Sequence, residues 1–329
     1  MTKKTVFFFP GQGAQYPGMA LDLIEVSAGA KKVFETASEV LGRDMVKTIR
    51  DSDAETLKRT DVSQSAISAA SLAAAAYLRE CGIVPSVCAG FSLGEYPALA
   101  CAGIISTEDC FRLTNERGRA MQAVVDKMQK EGGDAPGMAA VMGLAPEQVE
   151  ALIADWKNSG QISDLYAANI NSSVQTVVSG SAAALLKAEN LFKEAGARRF
   201  LRLKVAGPFH SPFMKEAALA FAPALEKITF NDPAVALFSN VTGKQIKSGA
   251  EAKALCLRQI TEGVRWTDEE AAIAELLPDL QTAEGRHLLL EVGPGKVLQG
   301  LWKDTGSSVP LFTAGTAAEI SEITKLMEK

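Results

Sequence analysis

The chain has 329 residues, of which 47% are hydrophobic and 22% charged, with a formal net charge of −5; this composition supports a large buried core and excludes global disorder. No run of lysine and arginine exceeds two residues, which argues against a nucleic-acid or membrane surface because phosphate recognition needs concentrated positive charge. The five cysteines form no CxxC pair and only two histidines are present, so we expect reduced thiols in a cytoplasmic protein and no metal site.

The N-terminal third alternates strand and helix patterns. A β-branched and aromatic run at Thr5–Phe9 predicts a strand and is too short for an export signal. The uncharged stretch Val62–Leu78 is interrupted by Gln64 and predicts a buried helix instead of a membrane span. Alternating strands and helices predict a parallel sheet covered on both faces. The other elements predicted here are helix Ala30–Leu41, helix Ser63–Glu80, strand Ser86–Ala89, a helix from about Glu95 and a helix from Ser106 to about Lys127.

The pattern changes after a segment rich in glycine and proline at 130–137. The elements that follow have the order β-α-β-β-α-β, which is the ferredoxin-like arrangement. They are strand Met138–Gly143, helix Pro146–Trp156, strand Leu165–Ile170, strand Thr176–Ser179, helix Ser181–Ala195 and strand Arg199–Val205. We therefore expect a small ferredoxin-like subdomain at 135–205, inserted into a large α/β subdomain formed by 1–134 and 206–329. The large subdomain resumes with strands near Val235–Ser239, Leu288–Val292 and Val309–Thr313.

A candidate catalytic serine lies between a predicted strand and a predicted helix, where Gly90-Phe91-Ser92-Leu93-Gly94 matches the pattern G-x-S-x-G. A nucleophile elbow needs small residues around the serine, because the turn is strained and neighbouring backbone passes close by. The N-terminus of the following helix favours negative charge that develops during acyl transfer. A chance match in a structural turn is the alternative, and the context favours Ser92 as a nucleophile.

A serine nucleophile needs a base, and only His210 and His287 are available. His210 lies in a loop between a predicted strand and a helix, where catalytic groups are commonly carried, so we expect it to be the base. His287 begins an apolar strand and is expected to have a structural role. No acidic residue stands out as a third member of a triad.

Two glycine-containing turns and one arginine give weaker signals. The segment Pro10–Gln15 lacks the third glycine of a dinucleotide fingerprint, and either presents a backbone N–H to an oxyanion or is purely structural. Gly293–Lys296 has the wrong spacing for a phosphate loop and is interpreted as a structural turn. Arg117 shares a helix face with Met121, which is unfavourable unless a carboxylate pairs with it; a solvated arginine is the alternative.

Taken together, these residues resemble the malonyl-CoA:acyl-carrier-protein transacylase family over nearly the whole chain. The resemblance implies an α/β-hydrolase-like large subdomain with a parallel sheet, plus the inserted ferredoxin-like small subdomain. It implies transfer of malonyl from malonyl-CoA to the phosphopantetheine thiol of acyl carrier protein through an acyl-serine, in fatty-acid synthesis. Malonyl-CoA and acyl carrier protein are then the partners, with no permanently bound cofactor. The matching segments are Pro10–Gln15, Gly90–Tyr96, Arg117–Gln122, Gly137–Ala140, Gly207–Met214, Arg258–Gln259 and Glu291–Leu298.

The resemblance also implies roles for individual residues. Ser92 would be the nucleophile and His210 the general base and acid, while the backbone N–H groups of Gln12 and Leu93 would form the oxyanion hole. Arg117 would pair bidentately with the malonyl carboxylate. The other residues placed at the substrate site are Gln64, Met121, Phe209 and Gln259, the last of which lies near the backbone carbonyl that supports the family's histidine.

Phe91 departs from the family, which usually has histidine before the nucleophile. Since Ser92 and His210 are unchanged, we expect activity to survive. The resemblance does not predict the shape and polarity of the acyl pocket around Phe91. The alternatives are a serine hydrolase or thioesterase, an acyltransferase for a different acyl-CoA, and a non-catalytic module that binds a carrier protein.

Overall fold

The computed structural model describes residues 4–130, 135–205, 207–277, 281–282 and 285–327, so half of the predicted break at 130–137 lies outside the described residues. The strands and helices predicted for the N-terminal third are confirmed, and three short helices are added. In chain order the elements are β1 (Thr5–Phe9), α1 (Leu23–Val26), α2 (Ala28–Leu41), α3 (Met45–Asp51), α4 (Ala54–Lys58), α5 (Thr60–Glu80), β2 (Val87–Gly90), a 3₁₀ turn (Ser92–Gly94), α6 (Glu95–Cys101) and α7 (Thr107–Lys130).

The middle of the chain has the predicted β-α-β-β-α-β order. Its elements are β3 (Gly137–Met142), α8 (Pro146–Asn158), β4 (Leu165–Ser172), β5 (Gln175–Gly180), α9 (Ala182–Glu194) and β6 (Arg199–Arg202). The last strand was expected to reach Val205, and that prediction is wrong. The strand ends at Arg202, although Leu203 N–H still donates to the carbonyl of Met138 over 2.9 Å. Leu203, Lys204 and Val205 form part of a cavity wall.

The C-terminal part completes the larger sheet and its helices. Its elements are a 3₁₀ turn (Pro212–Met214), α10 (Lys215–Glu226), β7 (Ala236–Leu237), α11 (Gly249–Arg258), α12 (Trp266–Ala274), β8 (Gln281–Thr282), β9 (Gly285–Arg286), β10 (Leu288–Glu291), α13 (Val297–Lys303), β11 (Leu311–Thr313) and α14 (Ala317–Met327). The strand β7 is shorter than the predicted Val235–Ser239, because the chain turns at Ser239 and places Asn240 against the backbone of Ser92. Within the described residues, no helix has both the length and the apolar character needed to cross a bilayer.

The larger sheet is parallel, with the order β11-β10-β1-β2-β7. Side chains alternate along β1, so Phe7 faces the core formed with α5 and α7, while Phe8 faces Trp266 and Trp302 on the other side. Both faces of the sheet are therefore covered, as predicted. Because β1 and β2 run in parallel, the turns that follow them meet at one edge of the sheet.

The smaller sheet is antiparallel, with the order β4-β5-β3-β6. The helices α8 and α9 cover one of its faces, where Trp156 and Phe192 pack edge to face. The opposite face presents Met138 and Val177 to a cavity whose wall also includes Ser92. The β-α-β-β-α-β order and this sheet order are those of a ferredoxin-like unit.

Backbone hydrogen bonds join the smaller sheet to the segment between α11 and α12. Ile170 N–H donates to the carbonyl of Val264 over 2.8 Å, and Val264 N–H donates to the carbonyl of Ala168 over 2.9 Å. Strand β4 is thereby fixed to the segment that follows α11. The subdomain boundaries at 135 and 205 stay a prediction.

Candidate active site

Ser92 lies in the sharp turn between β2 and α6, with a backbone φ of 50°. A non-glycine residue in this left-handed region is strained by about 1–3 kcal/mol and persists only where the surroundings hold it. The flanking glycines are sterically required. A Cβ at Gly90 would lie 2.0 Å from the carbonyl oxygen of Gly94, and a Cβ at Gly94 would lie 2.0 Å from that of Phe9. The local geometry is therefore that of a nucleophile elbow.

His210 is hydrogen-bonded to Ser92 and is buried. Its Nε2 lies 2.7 Å from Ser92 Oγ, and its Nδ1 lies 2.8 Å from the backbone carbonyl of Gln259. Because a carbonyl only accepts hydrogen bonds, Nδ1 carries the proton and Nε2 is free to accept the serine proton. The pair has the geometry of a nucleophile and its general base.

Burial, assisted by the positive charge of Arg117, lowers the pKa of His210 to about 4. The imidazole is therefore neutral at neutral pH, which is the state that a general base needs. His287 has a different place: its Nδ1 accepts a hydrogen bond from the backbone N–H of Lys4 over 3.0 Å, at the start of β10. This contact ties two strands of the sheet together, in agreement with the structural role predicted for His287.

Arg117 is buried on α7 and points toward the serine. Its Nη2 donates to Gln259 Oε1 over 3.0 Å and to Ser92 Oγ over 3.3 Å, and its guanidinium lies 5.4 Å from the centre of the Tyr96 ring. Burial lowers the pKa of Arg117. Within the described part of the chain, Arg117 has no carboxylate in an ion pair and its Nε has no hydrogen-bond partner. The carboxyl of Glu95 attracts Arg117 without forming an ion pair with it. A desolvated cation that no described carboxylate contacts is costly, so the site favours an anionic ligand.

A cavity of about 810 Å³ opens between the two sheets, and Ser92 and His210 lie in its wall. The predicted residues Gln12, Leu93, Met121 and Phe209 all line it, together with Ser92, Arg117 and His210. Gln64 is buried behind this wall, where its Nε2 contacts the sulfur of Met121 at 3.4 Å. The assigned roles of these residues, including the oxyanion hole at Gln12 and Leu93, stay predictions.

The turn at Gly293–Lys296 leads into helix α13, whose first amides are bound by a carboxylate of the protein itself. The side chain of Glu291 accepts hydrogen bonds from Leu298 N–H over 3.1 Å and from Gln299 N–H over 2.8 Å. These are the N-terminal amides of α13, where a phosphate group would otherwise bind. A phosphate loop is therefore excluded here.

Three buried polar residues next to the elbow were missed by the sequence analysis. The side chain of Asn240 donates to the carbonyl of Gly90 and accepts from the N–H of Ser92. It also donates to the side chain of Glu269. The third is Glu95, which contacts the side-chain amide of Gln259 and has its pKa raised to about 7, chiefly by burial. The sequence signal for these residues is weak: small and polar residues surround Asn240, but they form no recognised motif.

Comparisons with known proteins are consistent over the full length. The family model described as acyl transferase domain matches residues 6–324. The chain is 36% identical over 327 residues to the malonyl CoA-acyl carrier protein transacylase of Haemophilus influenzae, with 99% of each chain covered. An acyl carrier protein S-malonyltransferase structure from Vibrio cholerae has a TM-score of 0.86 at 35% identity, covering 97% of this chain and 99% of that one. A second structure shows a type II PKS acyl-carrier protein in complex with its malonyl-transacylase. The chain matches it with a TM-score of 0.86 at 34% identity, and the match covers 99% of this chain and 100% of that one.

Proposed function

Since the chain belongs to the acyl transferase family that includes the malonyl-CoA-acyl carrier protein transacylases, we propose that it transfers malonyl from malonyl-CoA to the phosphopantetheine thiol of an acyl carrier protein. The reaction serves fatty-acid synthesis and proceeds through an acyl-Ser92 intermediate. One observation carries the proposal: a buried guanidinium that forms no ion pair with any described residue lies 3.3 Å from the oxygen of a serine that is hydrogen-bonded to a neutral histidine. In a malonyl thioester a single methylene separates the carboxylate from the attacked carbonyl, so Arg117 is placed to bind the carboxylate while Ser92 attacks.

Acylation begins with proton transfer from Ser92 Oγ to His210 Nε2. The serine oxygen forms a bond to the thioester carbon, and the carbonyl oxygen becomes an oxyanion. The backbone N–H groups of Gln12 and Leu93 are proposed to stabilise that charge. The carbon–sulfur bond then breaks, and His210 returns its proton to the departing CoA sulfur. The products are malonyl-Ser92 and free CoA.

Transfer to the carrier reverses these steps with a different thiol. His210 takes the proton of the phosphopantetheine thiol, whose sulfur attacks the ester carbon of malonyl-Ser92. When the carbon–oxygen bond breaks, His210 protonates Ser92 Oγ, and malonyl leaves as a thioester of the carrier. No resident cofactor takes part in these steps, and His210 serves as base and acid in each half.

The bound malonyl group also adjusts the base. The positive charge of Arg117 is one cause of the low pKa of His210. A carboxylate paired with Arg117 offsets that charge, so the pKa of His210 rises toward the working pH, where proton transfer is most efficient. An acetyl group has no carboxylate and leaves the pKa of His210 low. Arg117 thus favours malonyl both in binding and in the proton-transfer step.

The surroundings of His210 favour transfer over hydrolysis. Hydrolases with this elbow use an acidic residue to orient the histidine, whereas His210 Nδ1 donates its hydrogen bond to the carbonyl of Gln259.

We also propose a cytoplasmic location, supported by the five cysteines, none of which is paired in a disulfide.

The test follows malonyl from a preloaded enzyme to three acceptors: a phosphopantetheinylated carrier protein, free pantetheine and water. We expect discharge onto the carrier and slow loss to water, and no loading of a Ser92→Ala variant. Rapid release of free malonate without carrier product would replace the proposal with a thioesterase. Failure of the wild-type enzyme to load malonyl would refute malonyl transfer itself.

A further inference from the structure

The backbone of the nucleophile is held by side chains from distant parts of the chain. Ser92 N–H donates to Asn240 Oδ1 over 2.6 Å, and the carbonyl of Ser92 accepts from Gln259 Nε2 over 2.9 Å. Because Ser92 has a φ of 50°, its conformation depends on such contacts. The direction of its Oγ toward His210 therefore rests partly on the residue that holds its N–H.

The side-chain amide of Asn240 spans both sides of the elbow. Its Nδ2 donates to the carbonyl of Gly90 over 2.7 Å and to Glu269 Oε1 over 2.6 Å. Its Oδ1 accepts from Ser92 N–H and from Gln259 Nε2, the latter over 3.2 Å. Two donors face the oxygen and two acceptors face the nitrogen, so only one orientation of the amide satisfies the contacts.

Glu269 supports that orientation from a fully buried position next to the amide nitrogen of Asn240. It is fully buried on α12, and its Oε2 has no hydrogen-bond partner in the described part of the chain. Burial, and then the nearby carboxyl of Glu95, raise the pKa of Glu269 well above its ordinary value. Its Oε1 accepts the hydrogen bond from Asn240 Nδ2, so the carboxyl of Glu269 holds the nitrogen side of that amide in place.

We propose that Asn240 is a positioning residue for acyl transfer, whose amide clamps the elbow so that Ser92 Oγ points at His210, with Glu269 holding the amide in its working orientation. Neither Asn240 nor Glu269 lines the cavity, so both act through Ser92 and not on the substrate. The inference rests on the proposed function for its effect on malonyl transfer, and on geometry alone for its effect on the reactivity of Ser92.

The main variant is Asn240→Asp, which keeps the shape and replaces the donating nitrogen by an oxygen. That oxygen would face the carbonyl of Gly90 and Oε1 of Glu269, two acceptors. A misplaced nucleophile costs about 100-fold in rate, so we expect kcat to fall by about that factor while KM for malonyl-CoA changes by less than about twofold. Asn158→Asp makes the same chemical change at an exposed position and is expected to leave both constants unchanged.

A second readout does not depend on the acyl donor. The rate at which a sulfonyl fluoride labels Ser92, followed by intact mass, reports the alignment of Ser92 with His210. We expect Asn240→Asp to slow labelling about as much as it lowers kcat. If the wild-type enzyme failed to use malonyl-CoA, slowed labelling would still support the clamp and only the proposed function would fall.

Stability is controlled by variants that separate folding from alignment. Ile49→Val removes one buried methyl group on α3, away from the cavity, and is expected to lower the melting temperature without changing the labelling rate. If Asn240→Asp does not fold, Glu269→Leu and Glu269→Gln replace it: the leucine lacks an acceptor for Asn240 Nδ2, whereas the glutamine keeps one. Slow labelling in Glu269→Leu with near-normal labelling in Glu269→Gln supports the clamp. Equal rates in those two variants, or wild-type kcat and labelling in a folded Asn240→Asp, would overturn it.

Discussion

Removing the guanidinium of Arg117 tests the origin of malonyl selectivity. In Arg117→Ala, Gln259 Oε1 loses the hydrogen bond from Nη2, and Ser92 Oγ loses a donor at 3.3 Å. These losses affect every acyl donor alike, and a net hydrogen-bond contribution of about 1 kcal/mol predicts roughly a fivefold fall in kcat/KM. The malonyl carboxylate additionally loses its partner in a desolvated site.

Leaving one charge of a buried pair without its partner costs about 2–5 kcal/mol. The cavity opens to solvent on the substrate side, so we take the lower half of that range, about 2–3.5 kcal/mol, which is roughly 30- to 300-fold in kcat/KM. The ratio of malonyl to acetyl transfer should fall by that factor. Initial rates of transfer from malonyl-CoA and acetyl-CoA to a carrier protein measure it.

Arg119→Ala is the matched control, because Arg119 lies on the same helix with a side chain that is 67% exposed and paired with Glu116. We expect it to leave both rates unchanged, since an exposed ion pair contributes little. Equal losses for malonyl and acetyl transfer in Arg117→Ala would refute the selectivity role.

Two further predictions concern the base and the elbow. A protonated imidazole cannot accept the serine proton, and the pKa of His210 is about 4. As the pH is lowered, kcat/KM should therefore stay level through pH 6.5, the ordinary histidine pKa, and fall only as the pH approaches 4. Arg117→Ala removes one cause of that low pKa, so kcat/KM of this variant should begin to fall at a higher pH than that of the wild-type enzyme. A wild-type enzyme whose kcat/KM falls with a pKa near 6.5 would contradict the low pKa of His210. For the elbow, Gly94→Ala should lose activity or soluble protein, since its methyl group would lie 2.0 Å from the carbonyl oxygen of Phe9. Gly300→Ala, on α13 with nothing within 4 Å of its Cβ, should raise stability by about 0.5–1 kcal/mol by thermal melting; wild-type behaviour of Gly94→Ala would refute the steric argument.

The strands and helices that carry the elbow were predictable because their sequence patterns are local. Thr5–Phe9 is a run of β-branched and aromatic residues with glycine and proline after it, and it forms β1 as predicted. The ends of β6 and β7 were not predictable, because each strand ends where the chain starts to build the site. Residues 203–205 continue the strand-like pattern but line the cavity, and Asn240 is held against Ser92 by hydrogen bonds to backbone far away in sequence.

The same distinction holds for the site. The G-x-S-x-G motif and the scarcity of histidine pointed to Ser92 and His210, which lie 2.7 Å apart in the structure. The support for His210 could not be found from side-chain types, since it is the backbone carbonyl of Gln259 and every residue has one. Glu269 was hidden for another reason: an acidic residue in the first turn of a helix is usually a solvated partner of the helix dipole, and here it is fully buried.

Intact mass after mixing the enzyme with malonyl-CoA tests the central claim most directly. Acetyl-CoA and a Ser92→Ala variant are run beside it, and a carrier protein is added in a second step. The account predicts an adduct of one malonyl group that requires Ser92, exceeds the acetyl adduct and disappears as the carrier gains the same mass. A malonyl adduct that persists in Ser92→Ala, or no adduct on the wild-type enzyme with turnover of malonyl-CoA to free malonate, would contradict it.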